Sequence, residues 1–279
     1  MDLDMEKKMG INAESILKFL EPSGLEIETF TPTAWGGHIP FMFCLMNYMR
    51  PRIYVELGSH CGASFFATCQ AIKQYKIDCD PTAVDLWLGD EHTGGYDESV
   101  YNSFMWLLSN RYPGIGKALR KDFNKAAMDF ADESIDLLHI DGLHTYDAVK
   151  NDYDTWLPKM SKNGVILFHD TVVKERGFGV WSLWDEIKDK YSSFNFTHTH
   201  GLGVIALGTP VTNPVANLID EINQSESSKK SLDYFFALCG ERSVSEALTK
   251  LKLMEMPKVF SVKTSARKVL HRLRKGFLS

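Results

Sequence analysis

Five cysteines in 279 residues, with no C-x-x-C pair and no Cys/His zinc spacing, give neither a disulfide framework nor a cysteine-based metal site. An odd number of thiols in a chain this large is expected to be reduced, as in a cytosolic protein. No stretch approaches about 18 consecutive apolar residues, so no membrane-spanning helix is expected. The opening MDLDMEKKMG lacks the basic-then-apolar order of a signal peptide. A basic excess is also missing, since the net charge is −5. With 44% hydrophobic and 24% charged residues, the composition excludes a wholly disordered, collagen-like or coiled-coil chain. No internal repeat is visible.

The modest net charge hides an asymmetry. Residues 258–279 hold seven Lys or Arg and no acid, which leaves 24 basic against 36 acidic residues in the rest, a balance of −12. An acidic body does not suit nucleic-acid binding, which places basic surface on the folded domain. The tail itself, residues 262–278 (VKTSARKVLHRLRKGFL), sets Val262, Ala266, Leu273 and Phe277 near one helical face, with Lys and Arg over much of the rest. Such a helix can lie on an anionic membrane. Its other reading is a solvated helix docked on a partner subunit of a homo-oligomer. The expected location is therefore cytoplasmic, with peripheral contact at the inner face of the membrane if the first reading holds.

The order of elements predicts the fold. Residues 12–20 have helical spacing at Ile16, Leu17 and Leu20. A Pro/Gly/Thr-rich stretch, 22–37, ends in Trp35-Gly36-Gly37-His38, and 40–49 is apolar nearly all round, a buried helix. Apolar strands follow at 52–57, 82–87, 115–121, 135–141, 164–170 and 203–207. Helices separate them at 63–75, 97–110, 124–130, 145–157 and 178–191. This alternation specifies an α/β, Rossmann-like doubly wound, mostly parallel sheet. Three segments result: an N-terminal helical or lid segment (1–50), the Rossmann-like domain (51–210) and a helical extension with the basic tail (211–279). In such sheets ligands bind beyond the carboxyl ends of the strands. Glu56, Asp85, Asp122, Asp141 and Asp170 all fall at or near strand ends.

Glu56-Leu57-Gly58-Ser59-His60-Cys61-Gly62 joins the first strand to its helix. Glycine permits a sharp turn and close approach of backbone to ligand, and the helix start offers free N–H groups. The spacing is neither G-x-G-x-x-G nor a Walker A loop. Asp85 ends the second strand 27 residues after Gly58, where an acid can accept from both hydroxyls of a ribose. A nucleoside-containing cofactor fits; NAD and S-adenosylmethionine both remain open on these residues alone.

V-E-L-G-S-x-x-G-x-S, A-V-D-x-W, I-D-L-L-H-I-D-G-L-H-T-Y and G-V-I-L-F-H-D-T, in that order, resemble the class I S-adenosylmethionine-dependent methyltransferases. More narrowly they resemble the metal-dependent sugar O-methyltransferases of antibiotic glycosides and bacterial surface polysaccharides. The resemblance spans roughly residues 30–208. It implies S-adenosylmethionine as cofactor, with Glu56, Gly58, Ser59 and Gly62 near its methionine end, Asp85 on its ribose, and Asp122 beside Phe123 near its adenine. It also places a catalytic histidine at the D-G-x-H position, His144.

Asp141 and Asp170 end two strands and converge at one sheet edge. With no lysine nearby in sequence they repel unless a cation lies between them. A hard divalent ion suits this, magnesium first and manganese next. Such an ion lowers the pKa of a bound sugar hydroxyl, and His144 would accept its proton. His139 is expected to be a core residue. His169 precedes Asp170, and strand alternation is expected to turn it away from the site. The expected acceptor is thus a sugar-containing small molecule or glycan. Rival readings are a metal-dependent hydrolase or phosphoesterase on the same His/Asp cluster, a non-catalytic cofactor- or sugar-binding subunit, an NAD dehydrogenase and, among methyltransferases, a catechol-type acceptor. The hydrolase gives the glycine turn and Asp85 no task.

Overall fold

Short β-branched and aromatic runs become strands because both faces of the sheet are covered. The computed structural model describes residues 13–31, 33–90 and 94–253. Its strands are Ile53–Leu57 (β1), Asp80–Asp85 (β2), Gly89–Asp90 (β3), Gly94–Gly95 (β4), Lys117–Arg120 (β5), Ile135–Ile140 (β6), Met160–His169 (β7), Ser192–Phe196 (β8) and Leu202–Ala206 (β9). The helices are Ala13–Leu20 (α1), Ile39–Met49 (α2), Ala63–Tyr75 (α3), Glu98–Arg111 (α4), Phe123–Ala126 (α5), Tyr146–Trp156 (α6), Val180–Ile187 (α7), Pro214–Asn223 (α8) and Glu226–Leu253 (α9). Seven strands form one sheet in the order β5-β2-β1-β6-β7-β9-β8. The first five run parallel, while β9 lies antiparallel between β7 and β8. The Rossmann-like doubly wound sheet is therefore present, with helices before and after it.

Alternation divides the strands between two cores. Tyr54, Ala83, Leu137, Val165, Leu167 and Val204 face one core, which α1, α2, α3, α8 and α9 cover. Val55, Val84, Leu138, Ile140, Ile166 and Ile205 face the other, under α6 and α7. Phe19, Phe41, Phe196 and Phe236 pack ring against ring, mostly edge to face, in the first core. They come from all three segments that the sequence sets apart, so those segments share one interior.

Several boundaries moved. Residues 192–196 form an edge strand that the sequence conceals, because Ser-Ser-Phe-Asn-Phe is apolar only at Phe194 and Phe196. The helix expected at 178–191 spans only Val180–Ile187 and ends in a 3-10 turn. The helical extension resolves into α8 and the long α9, Glu226–Leu253. Among the described residues no helix is long and apolar enough to cross a membrane. The basic tail lies outside the described residues.

Candidate active site

Gly58 leaves β1 at φ +88°, and a Cβ there would stand 2.1 Å from the Asp141 carbonyl oxygen. The turn therefore crosses directly over the start of the loop after β6, and only glycine permits it. Gly62, at φ +81°, opens α3. Asp85 braces this turn: its oxygens accept from the backbone N–H of His60 at 2.8 Å and of Trp87 at 2.6 Å. Each oxygen keeps a second lone pair. Burial raises the Asp85 pKa, and the two N–H groups oppose that rise. Ser59 Oγ and Glu56 Oε1 are buried without a hydrogen-bond partner. Asp122 is the N-cap of α5, accepting from Asn124 and Lys125 N–H, and Phe123 beside it packs against Gly142.

Glu56, His139 and Trp35 form a buried chain. Tyr54 Oη donates to Glu56 Oε2 at 2.5 Å, and His139 Nδ1 lies 3.1 Å from the same oxygen. Trp35 Nε1 donates to His139 Nε2 at 3.1 Å. An indole can only donate, so the His139 proton sits on Nδ1 and points at Glu56. Trp35-Gly36-Gly37-His38 is a buried 3-10 turn over the sheet, wedged against α9: a Cβ at Gly240 would meet the Gly37 carbonyl at 2.2 Å. It is an inner wall of the site.

Beyond β6 and β7 the acids and imidazoles converge. Asp141, His144 and Asp170 each bring one ligand-type atom within 4.8 Å of the others. His144 Nε2 is 2.9 Å from Asp170 Oδ2 and 3.7 Å from Asp141 Oδ1. The expected placement of His169 is overturned: its Nδ1 lies 3.2 Å from Asp141 Oδ1 and 3.3 Å from Asp170 Oδ2. Alternation fails because Asp170 has φ +64°, off the strand, and swings back toward its neighbour. His200, on the β8–β9 turn, completes the group, its Nδ1 2.9 Å from Asp170 Oδ1.

Charge decides the protonation here. Burial by itself would raise the pKa of both acids and lower those of His144 and His169. The opposite charges outweigh it: the acids fall below the usual carboxylate range, His169 rises well above an ordinary imidazole and His144 is pushed up to about 9. The two carboxylates thus face imidazole rings, which their sequence neighbourhood did not reveal. Phe178 stacks on the His144 ring at 4.5 Å and 16°, and the Arg176 guanidinium lies 4.7 Å from the Phe178 ring.

Sequence reasoning missed His169, His200 and the turn that carries the latter. The run His198-Thr199-His200-Gly201 was a signal in plain view, but its place in the sheet depends on the hidden strand β8.

Residues 55–171 match the family model described as a methyltransferase domain. The match runs from β1 to just past Asp170 and so takes in the glycine turn, Asp85, Asp141 and His144. The uncharacterized protein y4gI of Sinorhizobium fredii (strain NBRC 101917 / NGR234) is 40% identical over 240 residues, which are 85% of this chain and 26% of that protein. The chain thus spans about a quarter of the length of that curated relative. Among solved structures, a methyltransferase from Geobacter sulfurreducens aligns at TM-score 0.45 and 14% identity, over 64% of this chain and 80% of its own. The O-methyltransferase TomG from Streptomyces achromogenes, involved in tomaymycin synthesis and crystallised with S-adenosylmethionine, aligns at TM-score 0.47 and 12% identity, over 75% of this chain and 91% of its own.

Proposed function

We propose that this chain transfers a methyl group from S-adenosylmethionine to a hydroxyl oxygen of a sugar-containing acceptor, assisted by a divalent ion. One observation carries the reading: the glycine turn and the acid cluster share a wall, Gly58 lying against the Asp141 carbonyl. A cofactor on the turn and an acceptor at Asp141 and Asp170 would then be neighbours.

The residues fit the cofactor. Glu56 Oε1 and Ser59 Oγ, both buried without partners, suit the ammonium and carboxylate of a methionine end. The N-terminus of α3 adds free N–H groups. Asp85 has lone pairs for a ribose, and Phe123 beside Asp122 offers a ring edge for adenine. Bound there, S-adenosylmethionine supplies an electrophilic methyl on a sulfonium. The donor set also fits a cation, and magnesium or manganese would lower the pKa of an acceptor hydroxyl.

His144 takes the hydroxyl proton at Nε2. The same carboxylates that raise its pKa to about 9 keep it protonated while they pair with it. It becomes a base when Asp141 and Asp170 are engaged elsewhere, so the carboxylates and the base work as one unit. The remaining task is to hold both reactants at attack distance. Arg176, exposed beside Phe178, offers a cation to the hydroxyl oxygens of a sugar ring. The choice of sugar rests on this wall and on the motif resemblance.

The test is incubation with labelled methyl donor, magnesium or manganese, and a panel of nucleotide-linked and lipid-linked sugars. Label should enter one sugar class and stop with EDTA. Asp141→Ala and His144→Ala should lower turnover by roughly 10²–10⁴-fold while calorimetry still registers cofactor binding. Full turnover in EDTA would remove the metal from the reading, and failure to bind S-adenosylmethionine would remove the reading itself.

A further inference from the structure

Six of the nine histidines, His38, His139, His144, His169, His198 and His200, stand on the strand ends and turns around Asp141 and Asp170 or the wall behind them. Of these, His144, His169 and His200 set a ring nitrogen against Asp141 or Asp170, while His38, His139 and His198 pair with other groups.

His169 is the informative one. Its Nε2 is 3.2 Å from the backbone carbonyl of Thr199. A carbonyl can only accept, so Nε2 carries a proton and donates it. The other nitrogen, Nδ1, faces Asp141 Oδ1 at 3.2 Å and Asp170 Oδ2 at 3.3 Å. A metal-binding histidine is typically set this way: one ring nitrogen tied to a backbone carbonyl, the other turned to the ion.

The turn that carries the Thr199 carbonyl is itself held from both sides. Asp233 on α9 accepts from Thr197 N–H at 3.0 Å and from Thr197 Oγ1 at 2.5 Å, and lies 3.2 Å from His198 Nδ1. Thr199 Oγ1 pairs with the buried His38 Nε2 at 2.8 Å. His200 occupies Asp170 Oδ1, which leaves Oδ2 facing the cluster.

The spacing supports a common centre. Atoms adjacent around one ion, at bonds of about 2.1 Å, stand roughly 3.0 Å apart in octahedral and 3.4 Å apart in tetrahedral geometry. Here His169 Nδ1 stands 3.2 Å from Asp141 Oδ1 and 3.3 Å from Asp170 Oδ2, within that range.

Resting on the reading that Asp141 and Asp170 hold a divalent ion, we infer that His169 Nδ1 is a further ligand, and that the mixed imidazole–carboxylate set selects a transition-metal ion over magnesium. Imidazole suits manganese less than cobalt or zinc, and magnesium hardly at all. Asp233, Thr199 and His38 are positioning residues for that ligand.

The full chain, stripped with EDTA, is dialysed against Co²⁺, Mn²⁺ or Mg²⁺, and bound metal is measured by elemental analysis together with the visible spectrum of the Co²⁺ form. The expected result is one Co²⁺ per chain, not displaced by a tenfold excess of Mg²⁺. His169→Ala should weaken Co²⁺ binding at least tenfold and alter the cobalt spectrum. His169→Asp, which sets an oxygen near the place of Nδ1, should let Mg²⁺ compete. Melting curves and cofactor calorimetry on both variants establish that they fold. Equal competition by Mg²⁺ in the unaltered protein, or an unchanged cobalt spectrum and affinity in His169→Ala, overturns the inference. If Asp141→Asn abolishes binding and His169→Ala does not, the metal reading stands and this inference falls; if no ion binds at all, both fall.

Discussion

At the scale of single residues, Asp152 illustrates how far burial can work against a charge. It lies in α6 against Gly142 and Phe123, 5% exposed. Burial first, then the charge of Asp122, raises its pKa to about 7, against an opposing hydrogen bond from Asn151. Its folded pKa exceeds its unfolded value near 4, so the folded state holds the proton more tightly. The resulting contribution to stability is full below pH 4 and is lost as pH rises through about 7. Asp152→Asn cannot ionise. Relative to the parent it should therefore gain roughly 1–3 kcal/mol at pH 8 and no comparable gain at pH 4, measured by urea unfolding at both values. Gly58 is the opposite case, a position fixed by shape. Gly58→Ala adds a methyl at φ +88° against the Asp141 carbonyl. It should cost on the order of 2–4 kcal/mol and weaken cofactor binding, read by thermal melting and calorimetry; an unchanged melting temperature would mean that the turn has room to move.

At the scale of elements, the β8–β9 hairpin matters most. Its turn has Thr199 at φ +43°, His200 at φ +72° and Gly201 at φ +86°, three successive left-handed residues. Such a turn persists only when its surroundings hold it, and Asp233 does so from α9. Asp233→Ala should destabilise the fold by about 1–3 kcal/mol through the lost hydrogen bonds. It should also lower turnover more than cofactor affinity, because His200 stands on this turn and His169 donates to its Thr199 carbonyl, while the glycine turn lies elsewhere. Matching losses in kcat and in cofactor affinity would place the damage elsewhere. The hairpin also marks the limit of reading a sequence one element at a time. Strands β1, β2, β6 and β7 were legible because they are continuous apolar runs buried on both faces. The edge strand β8 was not, since only Phe194 and Phe196 of its five residues are apolar, too short a pattern to mark a strand.

At the scale of the molecule, α8 and α9 are part of the same interior as α1 and α2, through Val215, Ile219 and Phe236 on one side and Phe19 and Phe41 on the other. The extension therefore supports the site instead of trailing from it. The basic residues after 258 are the exception in the sequence, with seven cations and no acid. If they contact membranes, deletion of 262–279 should abolish sedimentation with anionic vesicles at low salt and leave methyl transfer to a soluble acceptor intact; unchanged sedimentation would assign the tail to another partner.

Local chemistry alone determined the parallel sheet, the glycine turn after β1, and the strand-end phase of Glu56, Asp85, Asp141 and Asp170. Each of these depends on the periodicity of a few neighbouring residues or on where an apolar run stops. Only the tertiary structure decided which imidazoles reach those acids. His169 turns inward because Asp170 leaves the strand at positive φ, and His200 arrives from about 30 residues further on. That meeting depends on strand order, on a turn gripped by a distant helix and on the balance of burial against charge, and no short window of sequence contains those quantities.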